Sequence, residues 1–240
     1  MLLREIYEKL DALSPFDLQE KWDNSGLQVG SFNDEVTNIV LSIDIDEEML
    51  DSLDEGTLII SHHPLIFSGL KELDFDKYPA NLLQKMLQKN IKNIAMHTNF
   101  DISHMNDAVT QEVLGYKIVK KEGFLNYFEV NEDFNVFAQK IREKLSLEFT
   151  KNVKCKDFIK TAAITTGSGA SQIGSISAEC FLTGDIKYHD AMHAKSINLS
   201  LIDIGHFESE HYFAEILHKH LKILGLEAII ATSKNPFTYK

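Results

Sequence analysis

The sequence predicts an α/β protein of two interleaved lobes. Short apolar runs alternate with amphipathic helical stretches through both halves of the 240 residues. No Gly-, Ser- or Pro-rich linker separates the halves in a chain with only four Pro. An apolar run ending in His97-x-x-x-Asp101 is also echoed by one ending in His206-x-x-x-Glu210. The echo suggests a duplicated-repeat architecture whose halves face a shared cleft. The lobes are expected over 1–124 and 125–240.

Leu2, Leu3, Ile6, Leu10 and Leu13 recur at three- and four-residue steps, predicting an amphipathic first helix that ends before Ser14-Pro15. Residues 21–30, Lys-Trp-Asp-Asn-Ser-Gly-Leu-Gln-Val-Gly, read as a loop leading to a strand. Buried strands are expected at 39–43, 58–60 and 91–96, with helices near 47–53 and 81–88. In the second half an alternating strand at 125–130 precedes a helix carrying Phe134, Phe137, Ile141 and Leu145. Apolar runs at 162–164, 180–182, 199–204 and 228–230 follow. A single helix from about 209 to 224 carries Phe213, Ile216, Leu217, Leu221 and Leu224 on one face.

Composition narrows the function. With 24 Lys plus Arg against 36 Asp plus Glu, the net charge of −12 disfavours a broad nucleic-acid or anionic-membrane surface. At 44% apolar and 25% charged, a chain this long folds around its own core without staples. Cys155 and Cys180 lack C-x-x-C spacing, so neither a disulfide framework nor a thiolate zinc site is indicated. Arg4, Glu5, Glu8 and Lys9 interrupt the N-terminal residues, and no apolar run approaches the roughly 18 residues of a membrane span. A cytoplasmic location is the expectation.

Chemistry concentrates at the strand ends. Ser61-His62-His63-Pro64 closes the 58–60 run, and Pro64 ends any ladder because it lacks an N–H donor. If the strand ran on, His62 and His63 would point to opposite faces, so convergence on one site requires a turn there. Alone, an adjacent pair of histidines is an ordinary polar surface feature. Together with His97, Asp101, His206 and Glu210, all at expected strand ends, it makes a ligand set suited to Zn, Fe, Mn or Ni. Glu210, read as the opening acid of the 209–224 helix, also suits the helix dipole. Two neighbouring ions sharing a bridging carboxylate would lower the pKa of a bound water and polarise a carbonyl, an imidazole C=N or a phosphoryl group.

Other clusters are less specific. Thr183-Gly-Asp-Ile-Lys-Tyr-His189 brings Asp185, Lys187 or His189 to a substrate or forms a turn and helix cap, the cap being slightly favoured. Thr165-Thr-Gly-Ser-Gly169 is a weak phosphate hint that lacks the Gly-Lys-Ser/Thr of a P-loop. Trp22 either walls a pocket or, more commonly for a tryptophan, anchors the core.

Residues 22–30 (Trp-Asp-Asn-Ser-Gly-Leu-Gln-Val-Gly), Ser61-His-His-Pro-Leu-Ile-Phe67, His97-Thr-Asn-Phe-Asp101, Thr183-Gly-Asp185 and Gly205-His-Phe-Glu-Ser-Glu210 together resemble the GTP cyclohydrolase I type 2 homolog family, the Nif-three-like proteins. The resemblance spans nearly the whole chain in order. It implies intertwined α/β lobes with mixed sheets, a dinuclear metal site in the cleft between them, and a homohexamer. It further implies that His62 and His206 bind one ion, His63 and Asp101 the other, and Glu210 bridges both, with His97 an additional or outer ligand. Glu210, His97, Lys187 and His189 become the candidate catalytic residues. The family name points to GTP, with metal-activated water attacking the guanine imidazole carbon. A metal-dependent phosphoesterase and a non-catalytic metal-binding scaffold or regulator remain alternatives, and the metal identity stays open. The chain departs from many relatives at Ile102-Ser-His-Met-Asn106, where they carry a glycine before the asparagine, which bears on the pocket rim.

Overall fold

The apolar runs become strands, as their length and their Ile and Val content favour. A computed structural model describes residues 1–238. Its strands are β1 (Gly26–Val29), β2 (Ile39–Ser42), β3 (Leu58–Ser61), β4 (Lys92–Ala95), β5 (Ile118–Glu122), β6 (Leu125–Asp133), β7 (Asn152–Val153), β8 (Phe158–Ile164), β9 (Cys180–Thr183), β10 (Ser200–Asp203) and β11 (Ile229–Ile230). The helices are α1 (Leu3–Leu13), α2 (Glu47–Ser52), α3 (Ala80–Gln88), α4 (98–113), α5 (Phe134–Lys144), α6 (Tyr188–Ser196), α7 (His206–Glu210) and α8 (Phe213–Ile223). Two compact units emerge: Met1–Phe100 with Phe213–Lys234, and Asp101–Tyr212 with the residues from Asn235.

The first unit holds a mixed sheet in the order β1-β4-β3-β2-β11. β11, β2, β3 and β4 run parallel, and β1 closes the far side antiparallel to β4. β2, β3 and β4 are buried at every residue, as central parallel strands are, which explains the apolar runs of β2 and β3; in β4 the buried Lys92 and Asn93 donate to the carbonyls of Glu35 and Ile59. Leu82, Leu83 and Met86 of α3 pack with Ile59, Leu65 and Ile91. α8 returns from far along the chain to pack near β2. Its Phe213 sets its ring 4.9 Å from His62 and 5.2 Å from Phe100.

The second unit holds a mixed sheet in the order β5-β6-β8-β9-β10-β7. β8, β9 and β10 are parallel, and β7 caps β10 antiparallel. Phe181, Ala163 and Leu201 pack with Ala194 of α6 and Ile173. Each unit thus contains three adjacent parallel strands, β2-β3-β4 and β8-β9-β10, the third flanked by an antiparallel neighbour. That agrees with the expected α/β class and with the repeat that the histidine echo suggests. Among the described residues, no helix is long and apolar enough to cross a membrane.

Four elements differ from the sequence reading. The helix expected at 209–224 is two helices, because the buried face of Phe213, Ile216, Leu217 and Leu221 belongs to α8 alone. Glu210 therefore closes α7 and does not open a helix, so the dipole there gives its charge no support. β5, mostly exposed, and the two-residue β7 carry too few apolar residues to announce themselves. α4 alternates α- and π-turns, the first π-turn covering Asp101–Met105.

Phe213→Ala is expected to remove about 3–5 kcal/mol of stability, since it leaves a ring-sized cavity beside His62 and Phe100. Urea unfolding followed by circular dichroism checks it, with a shift of the midpoint and an unchanged folded baseline.

Candidate metal centre

In the first unit the chain turns where β3 stops. The His62 and His63 N–H groups donate to successive carbonyls at the end of β2, those of Ser42 (3.0 Å) and Ile43 (2.9 Å). Ser61 Oγ donates to the His63 carbonyl at 2.8 Å and tightens the bend. The turn sets the two imidazoles 5.1 Å apart. His97, two residues beyond β4, lies 5.3 Å from the His62 ring and 5.6 Å from the His63 ring. Each ring offers a donor atom to a common point, the three atoms lying within 4.8 Å of one another. Convergence by turning is what the His-His pair needed.

Each of these rings is held by its Nδ1. His62, wholly buried, donates to the Met96 carbonyl at 2.9 Å. His63 donates to Asp44 Oδ1 at 2.8 Å, and His97 to Asp23 Oδ1 at 2.7 Å. Asp23 Oδ2 accepts from Thr98 Oγ1 (2.5 Å), the Thr98 N–H (3.1 Å) and Ser25 Oγ (2.9 Å). Burial pushes the Asp23 carboxyl upward, but the hydrogen bond and charge of His97, with Thr98, outweigh it and hold it well below the usual carboxylate range. An ionised Asp23 is a strong acceptor that fixes the tautomer and angle of His97. Nε2 is the nitrogen left for an ion at each ring.

The second unit repeats the device. Beyond β10, Gly205 adopts a positive φ of 71° and starts α7 at His206. His206 Nδ1 donates to Asp185 Oδ2 at 2.6 Å, and its Nε2 lies 3.0 Å from Glu210 Oε2 one turn on. Asp185 lies two residues beyond β9. Gly184 before it packs so tightly that a Cβ would strike the backbone of Gly205 and His206. Glu210 is almost fully buried, 3% exposed, and Gly167 makes room for it. Gly167 has φ +62°, and a methyl there would overlap the Glu210 carboxylate. Ser209 Oγ accepts the Gly167 N–H at 3.0 Å and donates to the Gly205 carbonyl at 2.7 Å, tying the 165–169 loop to α7.

Asp101, also buried, opens the π-turn of α4. Asn106 Nδ2 donates to the Asp101 carbonyl at 3.2 Å, while its Oδ1 accepts the Thr166 N–H at 2.8 Å. Met105, the residue before Asn106, is fully buried.

The remaining candidates fall elsewhere. Lys187 and His189 are exposed at the start of α6; Asp190 accepts the Lys187 N–H at 3.0 Å, which is the cap reading of that motif. The His189 ring lies 5.4 Å from Tyr188, edge-on. The 165–169 loop is no anion cradle, because the amides of Thr166, Gly167 and Gly169 donate internally to Asn106, Ser209 and Thr183. Trp22 is not a core anchor: it is 58% exposed, beside Phe67 and His97. Sequence reasoning missed Asp44 altogether, and it missed the orienting roles of Asp23 and Asp185. Their position just past strand ends, or beside a strand-end histidine, was the available signal.

The family model described as Duf34/NIF3 (NGG1p interacting factor 3) matches residues 1–236. A Campylobacter jejuni protein named GTP cyclohydrolase 1 type 2 homolog is 50% identical over 240 residues, covering all of both chains. Helicobacter pylori GTP cyclohydrolase 1 type 2 is 43% identical over 237 residues, 98% of each chain. Among solved structures, a hypothetical protein of Staphylococcus aureus matches with a TM-score of 0.85 at 27% identity, over 100% of this chain and 99% of that one.

Replacing Asp44 or Asp185 by Ala is expected to weaken divalent-metal affinity about 10–100-fold by releasing His63 or His206; competition against a chromogenic chelator reads the change. Gly167→Ala combines an unfavourable φ with displacement of Glu210. It is expected to cost about 1–3 kcal/mol in urea unfolding and to lower metal content as well.

Proposed function

The chain belongs to the Duf34/NIF3 family, and from that membership and the histidine geometry we propose a dinuclear metal-dependent hydrolase acting on a nucleotide such as GTP. The observation that carries the proposal is the Nδ1 hydrogen bond at each of His62, His63, His97 and His206, which presents Nε2 in the way metal-ligating histidines are presented. Imidazoles with buried carboxylates fit divalent Zn, Fe, Mn or Ni, and nothing in the donor set singles out one of them. His62, His63, Asp101, His206 and Glu210 would hold two such ions, with Glu210 common to both and His97 beside them. When bound, the ions supply water activation at neutral pH and polarisation of the substrate.

The chain's own groups do the rest. Asp23, Asp44 and Asp185 accept from Nδ1 of His97, His63 and His206 and so fix the orientation of each ring. The Glu210 carboxylate is buried beside His206 Nε2, which supports its reading as the ligand shared by the two ions. Lys187 and His189 would meet substrate only from the solvent side. GTP as substrate follows the names of the Campylobacter and Helicobacter relatives. The same ligands would serve a phosphoesterase by clamping phosphoryl oxygens. A homo-oligomer, a hexamer by the family resemblance, belongs to the same proposal, and light scattering at about six chain masses checks it.

Elemental analysis of protein purified without chelator is expected to find about two ions per chain, falling in Glu210→Ala and in His63→Ala. With metal present, GTP incubation followed by chromatography is expected to show loss of the intact guanine ring. Bound metal without turnover of GTP or of phosphoesters would move the weight to a scaffold or regulator; absence of metal would sink the whole reading.

A further inference from the structure

We propose that Trp22 and Phe67 form a platform that holds a planar heteroaromatic ring beside His97. Trp22 is 58% and Phe67 51% exposed, and their rings lie 5.9 Å apart at a tilt of 44°. Both stand edge-on to the His97 imidazole, at 6.2 and 6.3 Å. Single exposed apolar side chains are ordinary on a protein surface. Two large rings set together, each against the same candidate ligand, form a wedge with apolar faces open to solvent.

The loops bearing these rings are fixed, which a merely tolerated surface aromatic would not require. Asn24 Nδ2 donates to the Ile66 carbonyl at 2.6 Å, the Ile66 N–H donates to Gln28 Oε1 at 3.3 Å, and Gln28 Nε2 donates to the Asn24 carbonyl at 2.5 Å. The Asn24 N–H donates to Asp23 Oδ1 at 2.7 Å, the oxygen that also receives His97 Nδ1. One carboxylate therefore sets both the His97 ring and the backbone next to Trp22. Hydrogen bonds made in the free protein leave less ordering for a ligand to impose.

The wedge selects a ligand by its ring face. At 44° a bound ring lies flat on one aromatic and meets the other at an angle, both of which are favourable aromatic geometries. Stacking of this kind accepts any purine or pteridine-like ring, because each has a π-face. Phe67 also lines a cavity of about 300 Å³ with Leu70, Lys71 and Tyr78, which gives the rest of such a ligand somewhere to lie. The platform rests on the hydrolase reading only in identifying the ring as substrate, and it deepens that reading by placing the base, not the phosphates, at His97.

Trp22 is the chain's only tryptophan, so its emission reports the platform directly. The purified protein is titrated with guanosine, GTP and inorganic triphosphate, with excitation beyond guanine absorption. Guanosine and GTP are expected to quench Trp22 saturably, and triphosphate is not. Phe67→Ala is expected to weaken guanosine binding about 5–100-fold with unchanged circular dichroism. Calorimetry of guanosine binding is expected to show retention in Trp22→Phe and loss in Trp22→Ala. GTP turnover with no Trp22 response to nucleoside would overturn the platform while leaving the hydrolase. Saturable quenching without metal or turnover would uphold the platform and count against the hydrolase. Emission that follows protein dilution and ignores ligand would also overturn it, because the rings would then cover a second copy of the chain.

Discussion

The hydrogen bond at histidine Nδ1 is the interaction on which the candidate site depends. A free imidazole can offer either nitrogen and can turn about its outer torsion, so its lone pair has no settled direction. An oxygen on Nδ1 removes both freedoms at once. The oxygen comes from a backbone carbonyl at His62 and from carboxylates at His63, His97 and His206. The carboxylates also raise the basicity of the ring, which strengthens Nε2 as a ligand.

Those oxygens are available because the parallel strands stop together. Asp44 follows β2, His62 and His63 follow β3, and His97 follows β4. In the other unit Gly167 follows β8, Asp185 follows β9 and His206 follows β10. Side chains that leave the ladder at neighbouring strand ends must lie near one another, which is why open α/β sheets place their chemistry at this edge. The price is close backbone approach, and glycine meets it at 167 and 184. In each unit the third parallel strand leads to a histidine with a carboxylate four residues on, so the sequence echo corresponds to equivalent places in two similar topologies.

Much of this was legible in the residues. Buried parallel strands are rich in apolar residues, and 39–43, 58–60 and 180–182 gave themselves away as nearly continuous apolar runs, while 91–96 and 199–204 were legible from their Ile, Leu and Met despite Lys92, Asn93, Ser200 and Asp203. The histidines stood out because imidazole is uncommon straight after such runs. Asp44 and Asp23 did not, and Asp185 stood out only as a substrate or turn candidate, since an aspartate in a loop looks like any turn residue until its partner is known. Met96 contributes only a carbonyl, which no side-chain pattern can reveal. Trp22 misled through its type: tryptophan is usually buried, and its exposure follows from loop hydrogen bonds made with Ile66, far along the chain. The break between Glu210 and Phe213 was hidden because α8 alone satisfies the helical period attributed to one longer helix.

The route of the chain also sets an order of birth. Phe213–Lys234 belongs to the unit that Met1 begins, with the whole run Asp101–Tyr212 between. On a ribosome, β2 must therefore wait for its parallel neighbour β11, and His62 for the Phe213 ring, until more than a hundred further residues have emerged. The run Asp101–Tyr212, which makes up most of the other unit, emerges without interruption and can close first. The strand end that carries His62 acquires the packing of the Phe213 ring only afterwards, so a nascent or truncated chain lacks that support beneath the histidine pair.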